Sequence, residues 1–142
     1  QQLQADPRMT TRHIERLEDL PGQCVRSLRG VATEQLRAWA KSADHRFVLA
    51  DLSGCKDKAS ALRMLGHAFS LPSWFGANLD ALYESLTDQE TWLIGRGAVV
   101  VLDPLPYTDR FGVEERDALL DVFRDVAEHY AEAGLPFRVF YR

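Results

Sequence analysis

"GAVVVLDPLP" (residues 97–106) is a continuous apolar run closed by two prolines. A strand with one wet face alternates apolar and polar residues. A run that is apolar at both parities suits a strand buried on both faces, the mark of a parallel sheet interior. Just before it, "GRG" (95–97) is too short for a phosphate loop and reads as a turn into the strand. After it, "GVEERDALLDVFRDVAEHYAEAG" (112–134) is the longest periodic segment. It predicts a helix with Leu119, Leu120, Phe123, Val126, Ala127 and Tyr130 inward and Gly134 at its end. "LPFRVFYR" (135–142) is a final strand. Upstream, "RFVLADL" (46–52) is a strand ended by Ser53-Gly54, and "DKASALRMLGHAF" (57–69) is a helix with Ala61, Leu62, Leu65 and Phe69 on one stripe. Leu71-Pro72 stops that helix, and another runs from Asn78, its N-cap, to Thr87. Before them, "QCVRSLR" (23–29) alternates weakly, and "ATEQLRAWAKSA" (32–43) sets Leu36, Trp39 and Ala40 at helical spacing. The order βαβααβαβ predicts an α/β fold. Its parallel sheet has three strands, or four if 23–29 joins an edge, and is packed with helices.

The chain has 142 residues, 46% hydrophobic and 27% charged, which suits one packed domain rather than disorder. That domain is expected over 11–142, with 1–10 set aside as disordered or vector-derived and Met9 as a native start. No apolar run approaches the roughly 20 residues of a membrane span, and nothing near the start resembles a secretory signal. Cys24 and Cys55 match no zinc or redox spacing, so they are expected as free thiols in a cytoplasmic protein, although one disulfide is possible. Residues 1–46 carry eight Lys/Arg against six Asp/Glu, net +2. Residues 47–142 carry nine against fifteen, net −6, and the sum is −4. A nucleic-acid binder needs a basic groove. This balance argues against one and for a basic protein partner.

No catalytic pattern emerges. His13, His45, His67 and His129 share no metal-binding spacing, no serine sits in a nucleophile elbow, and no cofactor motif occurs. The chain is therefore read as no enzyme, with neither metal nor cofactor. The unusual segment is "SLPSWFGANLDALYESLTDQE" (70–90), with four acids, no Lys or Arg, and the adjacent rings Trp74 and Phe75 in a loop. Asp80, Glu84 and Asp88 fall at i, i+4 and i+8, along one helical face. Leu79, Leu82 and Leu86 take a neighbouring, inward face, with Tyr83 at the boundary. A solvated acidic face explains the charges alone. The exposed aromatic pair beside them is how interface centres look.

"LPSWFGANLDALYESLTD" (71–88) resembles the hallmark segment of the barstar family, intracellular inhibitors of the bacterial ribonuclease barnase. The pattern is Leu-Pro-x-aromatic-aromatic-Gly-x-Asn-Leu-Asp-Ala-Leu-aromatic-acid-x-Leu-Thr. The resemblance extends from about residue 46 to the C-terminus and includes "VFRD" (122–125) in the last helix, so 46–142 is read as a barstar-like core and 11–45 as an added βα unit.

The resemblance implies a role for each matching residue. Trp74 takes the place of a tyrosine that enters the mouth of the nuclease active site, and Asp80 that of an interface aspartate. Tyr83 replaces a tryptophan at the rim. Glu84 stands for the aspartate that occupies the phosphate-binding pocket, and Asp125 for a glutamate on the last helix. Phe75, Gly76 and Asn78 shape the loop and start the helix. The implied function is inhibition of a basic bacterial ribonuclease or ribonuclease toxin, bound 1:1 by a free monomer. The alternative is a non-inhibitory regulatory domain that uses the acidic helix for another basic partner.

Overall fold

The computed structural model describes residues 16–72, 75–92 and 94–142. The segment 1–10, the start of the N-terminal unit and Trp74 lie outside these. Four strands, β1 (Gln23–Ser27), β2 (Arg46–Ala50), β3 (Ala98–Leu102) and β4 (Phe137–Tyr141), form one parallel sheet in the order β1-β4-β3-β2. The helices are α1 (Thr33–Ser42), α2 (Lys58–Ala68), α3 (Leu79–Thr87), α4 (Gln89–Trp92) and α5 (Val113–Ala133). A 3-10 turn, Leu17–Asp19, precedes β1. The fold is the expected parallel α/β, and the weak 23–29 segment supplies the fourth, edge strand. Every residue of β3 is buried, as its unbroken apolar run requires.

From β1 the chain crosses the whole sheet to β2 with α1 on one face. It then steps back through β3 to β4 with α2–α5 on the other. A constant hand of crossover puts helices on opposite faces when the direction of travel reverses. Side-chain parity sorts the core accordingly. Val99, Val101 and Phe140 pack with Leu17, Leu20, Leu36 and Ala40. Val48, Ala98, Val100, Leu102, Phe137 and Val139 pack with the other helices. Trp39, at helical spacing with Leu36 and Ala40, is half-buried at the margin, while those two take the fully buried positions of α1.

Arg138 of β4 is buried on the α1 side and donates from Nε to the Pro21 carbonyl at 2.8 Å, tying the segment before β1 to the sheet. His45 lies beside it, with Nδ1 3.1 Å from the Ala43 carbonyl. Burial, aided by the Arg138 charge, holds this imidazole below its usual range.

The helices that carry the acids are fixed at their ends and by an aromatic cluster. α2 ends at Ala68, earlier than the restriction from Pro72 would place it. Ser70 adopts a left-handed φ of 55°, and Leu71 N–H returns to the Gly66 carbonyl at 2.8 Å. α5 closes at Gly134 (φ 74°), where Leu135 N–H reaches the Tyr130 carbonyl at 2.9 Å. The indole of Trp92, on the unanticipated short helix α4, is buried. Its Nε1–H donates to the Leu86 carbonyl of α3 at 2.7 Å, and the Tyr130 hydroxyl of α5 donates to the same oxygen. Phe69 packs edge-on to Trp92 at 5.0 Å, and Tyr130 stacks on Phe137 of β4 at 5.6 Å. These rings fasten α2, α3 and α5 to the sheet, so α3 is held rigidly at the surface.

Candidate functional site

α3 begins as the sequence predicts. Asn78 is its N-cap, and the side-chain oxygen accepts from Ala81 N–H at 2.8 Å. Just before it, Ala77 adopts a left-handed φ of 50° and Gly76 is exposed. The expected exposed pair of rings needs correcting for Phe75. That side chain is half-buried against the core and covers Gly66, where an added Cβ would lie 2.9 Å from the Phe75 ring. The glycine in α2 is therefore the seat of the loop. Phe75 anchors the loop from beneath, while Trp74 lies outside the described residues.

Leu82 and Leu86 are fully buried and Leu79 half-buried, which turns Asp80, Tyr83 and Glu84 outward; Tyr83 keeps 37% of its surface exposed. Across from them, α5 buries Phe123, Val126, Ala127 and Tyr130 and turns Asp125 outward. The two helices enclose an open groove of about 600 Å³. Leu79, Asp80, Tyr83 and Glu84 line one wall, and Val122, Asp125, Glu128, His129 and Glu132 the other. Residues 80, 83, 84 and 125 are thus brought together. Glu84 also borders a second hollow, of about 420 Å³, on the other flank of α3 with Phe75, Gly76, Ser85 and Asp88. Its carboxylate stands on the ridge between the two.

Among the described residues, the groove holds five carboxylates and no Lys or Arg. Among the described residues, none of Asp80, Glu84, Asp125, Glu128 and Glu132 forms an ion pair. Exposed like charges about 4 Å apart repel by only about 1 kcal/mol in water, so the fold tolerates them. Together they hold a negative potential ready for a cationic partner. Glu128, His129 and Glu132 were not singled out from the sequence. The signal was present: 125, 128, 129 and 132 follow the helical i, i+3, i+4, i+7 spacing beside the apolar stripe of α5.

Asp88 departs from the expected acidic row. It lies past the end of α3 and its carboxylate turns back to start α4, accepting from Glu90 N–H at 3.0 Å and from the Thr91 hydroxyl at 2.7 Å. Those bonds, Thr91 first, hold its carboxyl below the usual range. A depressed carboxyl stabilises the fold fully above its unfolded-state pKa, and that contribution is lost as pH falls through the folded value. Asp88→Ala is therefore expected to lower the melting temperature at neutral pH, and the gap to the parent should close in acid. Melting curves across that range check this; a gap constant down to the acid limit of folding would contradict it.

Among the described residues, no group of three or more His, Cys, Asp and Glu is placed to hold a metal ion, and no helix is long and apolar enough to cross a membrane. No curated protein shows a significant match to the chain. Residues 45–142 match the family described as Barstar (barnase inhibitor). The chain belongs to the barstar family. Barstar-family proteins are inhibitors, not enzymes, and bind a ribonuclease. The match begins at the residue before β2 and takes in α2–α5, the groove and β4, while β1 and α1 precede it.

Proposed function

We propose that this barstar-family protein inhibits a basic bacterial ribonuclease by filling its active site with the acidic face of α3 and the aromatic loop before it. The observation that carries the reading is the convergence of Asp80, Tyr83 and Glu84 with Asp125 on one groove that has five carboxylates and no Lys or Arg among its described residues. A ribonuclease holds phosphate in a cleft of Arg, Lys and His. A carboxylate on a rigid helix mimics that phosphate and accepts charge-assisted, often bidentate bonds from arginine. Burying the carboxylate is costly, so the bond helps only where the cleft satisfies it fully. Glu84, on the ridge, is the group that enters. Asp80 and Asp125 meet cations around the cleft, and Trp74, carried over from the family pattern, covers the base site. The acidic balance of residues 47–142 speeds encounter with a basic partner.

Glu84 is one methylene longer than the family aspartate and Tyr83 smaller than the family tryptophan, so the cognate nuclease differs from barnase at those contacts. The protein acts in the cytoplasm as a monomer that forms a 1:1 complex. It protects its own cell from a secreted ribonuclease or a delivered ribonuclease toxin. A pull-down from cells that make the protein, with parent and Glu84→Ala baits, tests the proposal. The expected result is a ribonuclease retained and silenced by the parent and lost from the variant. Retention by the parent of only basic proteins without nuclease activity would overturn it in favour of a non-inhibitory adaptor.

A further inference from the structure

The carboxyl ends of the strands form a separate crevice of about 240 Å³ whose chemistry is opposite to that of the acidic groove. In open parallel sheets, ligands commonly collect in crevices beyond the carboxyl ends of the strands. Here β1 leads to α1 on one face and β3 leads to α5 on the other, with β4 between them. Ser27, Leu28 and Arg29 line the crevice from the end of β1, Tyr141 and Arg142 from the end of β4, and Arg116 from the start of α5.

Three guanidinium groups from three elements thus border one small hollow. Arg142 forks onto the Asp103 carboxylate, with Nη2 at 2.9 Å and Nε at 3.3 Å. Arg116 lies over the Tyr141 ring, 5.2 Å from its centre. Among the described residues neither Arg29 nor Arg116 has an ion pair. Like charges around one hollow repel, and an anion between them converts that repulsion into attraction. Planar guanidinium forks match phosphate oxygens in particular. Ser27 adds a hydroxyl donor to the same wall.

We propose that this crevice binds the phosphate group of a small anion, either free phosphate or the terminal phosphate of a nucleotide. Arg29 and Arg116 supply the uncompensated charge, and Arg142, already held by Asp103, supplies a fixed edge. Ser27, Leu28 and Arg29 precede the family match, so the site exists only where the N-terminal strand meets β4. It gives residues before 45 a role besides covering the sheet.

Titration of the isotope-labelled full chain at low ionic strength, followed by amide NMR, tests this with inorganic phosphate and, separately, adenosine monophosphate. Saturable shifts are expected at residues 27–29, 116, 141 and 142. Arg29→Gln and Arg116→Gln should each raise the phosphate Kd by about tenfold, close to the loss of one charge-assisted contact. Both side chains are exposed, so the melting temperature without ligand should not move for Arg29→Gln and should fall only slightly for Arg116→Gln, which also loses its contact with Tyr141. Arg26→Gln, an exposed β1 arginine outside the crevice, should leave Kd unchanged. Tighter binding of the nucleotide would assign the nucleotide as ligand, and equal or weaker binding would assign free phosphate. Shifts that do not saturate, that chloride reproduces, or that both crevice variants retain at parental Kd would overturn the site.

Discussion

Glu84→Ala is expected to weaken binding to the cognate ribonuclease by about 2–5 kcal/mol, roughly thirtyfold or more, the general cost of truncating one partner of a buried charge pair, of which the barnase–barstar complex is itself a known example. On the proposed mechanism, much of that cost arises on the nuclease side, where removing the acid would leave several cations buried without a partner. Asp80→Ala should show a loss of the same kind, because residue 80 lies one turn before Glu84 and on the same groove. Asp88→Ala should change affinity far less. Its carboxylate is engaged by Glu90 and Thr91 in starting α4 and is not presented with the other two. Folding should survive Asp80→Ala and Glu84→Ala, since neither acid forms an ion pair among the described residues and exposed helix charges contribute little. Calorimetric titration of the three variants against the captured nuclease checks the order. Equal losses for residues 84 and 88 would mean that α3 acts through general charge rather than through an inserted acid.

Removing residues 1–44 is expected to cost more than any single substitution. On the proposal that 11–45 is an addition to the barstar core, its contribution is to the sheet rather than to the acidic groove. The 3-10 turn and α1 cover Val99, Val101 and Phe140 with Leu17, Leu20, Leu36 and Ala40. A large apolar side chain gains about 1.5–3 kcal/mol on full burial. Losing this layer therefore costs on the order of 10 kcal/mol, even allowing that such sums are upper estimates. That rivals the 5–15 kcal/mol by which whole domains are commonly stable. The truncated chain should lose cooperative thermal unfolding and expose an apolar sheet face that promotes aggregation. Circular dichroism melts and size-exclusion chromatography decide this. A truncated chain that unfolds cooperatively near the parental temperature, yet no longer binds the nuclease, would place the N-terminal unit in the interface instead.

Much of this architecture is legible in the sequence because the buried elements are strongly patterned. The run 97–106 suits a strand buried on both faces, and 98–102 is such a strand. The stripe from Leu119 to Tyr130 has helical spacing, and all six of its residues are buried on α5. The Asn78 cap marked the start of α3 to the residue. At the site itself three features escaped, each because a local rule was overruled by neighbouring structure. Phe75 reads as an exposed ring until Gly66, nine positions earlier, is seen to leave it a seat. Asp88 fits the i+8 position of an acidic row, but α3 ends before it and the carboxylate caps α4. Glu128, His129 and Glu132 read as an ordinary solvated face until α3 is packed beside them, since a groove between two helices belongs to neither segment alone.

The claim that Glu84 and the aromatic loop stand in for substrate is tested most directly by competition. The captured ribonuclease is first saturated with a nucleotide that fills its active site, and the protein is then titrated in. If the carboxylate occupies the phosphate pocket, the apparent Kd rises in proportion to nucleotide concentration, and Glu84→Ala loses most of that dependence. A protein that binds the saturated nuclease with undiminished affinity, forming a ternary complex, would contradict the account.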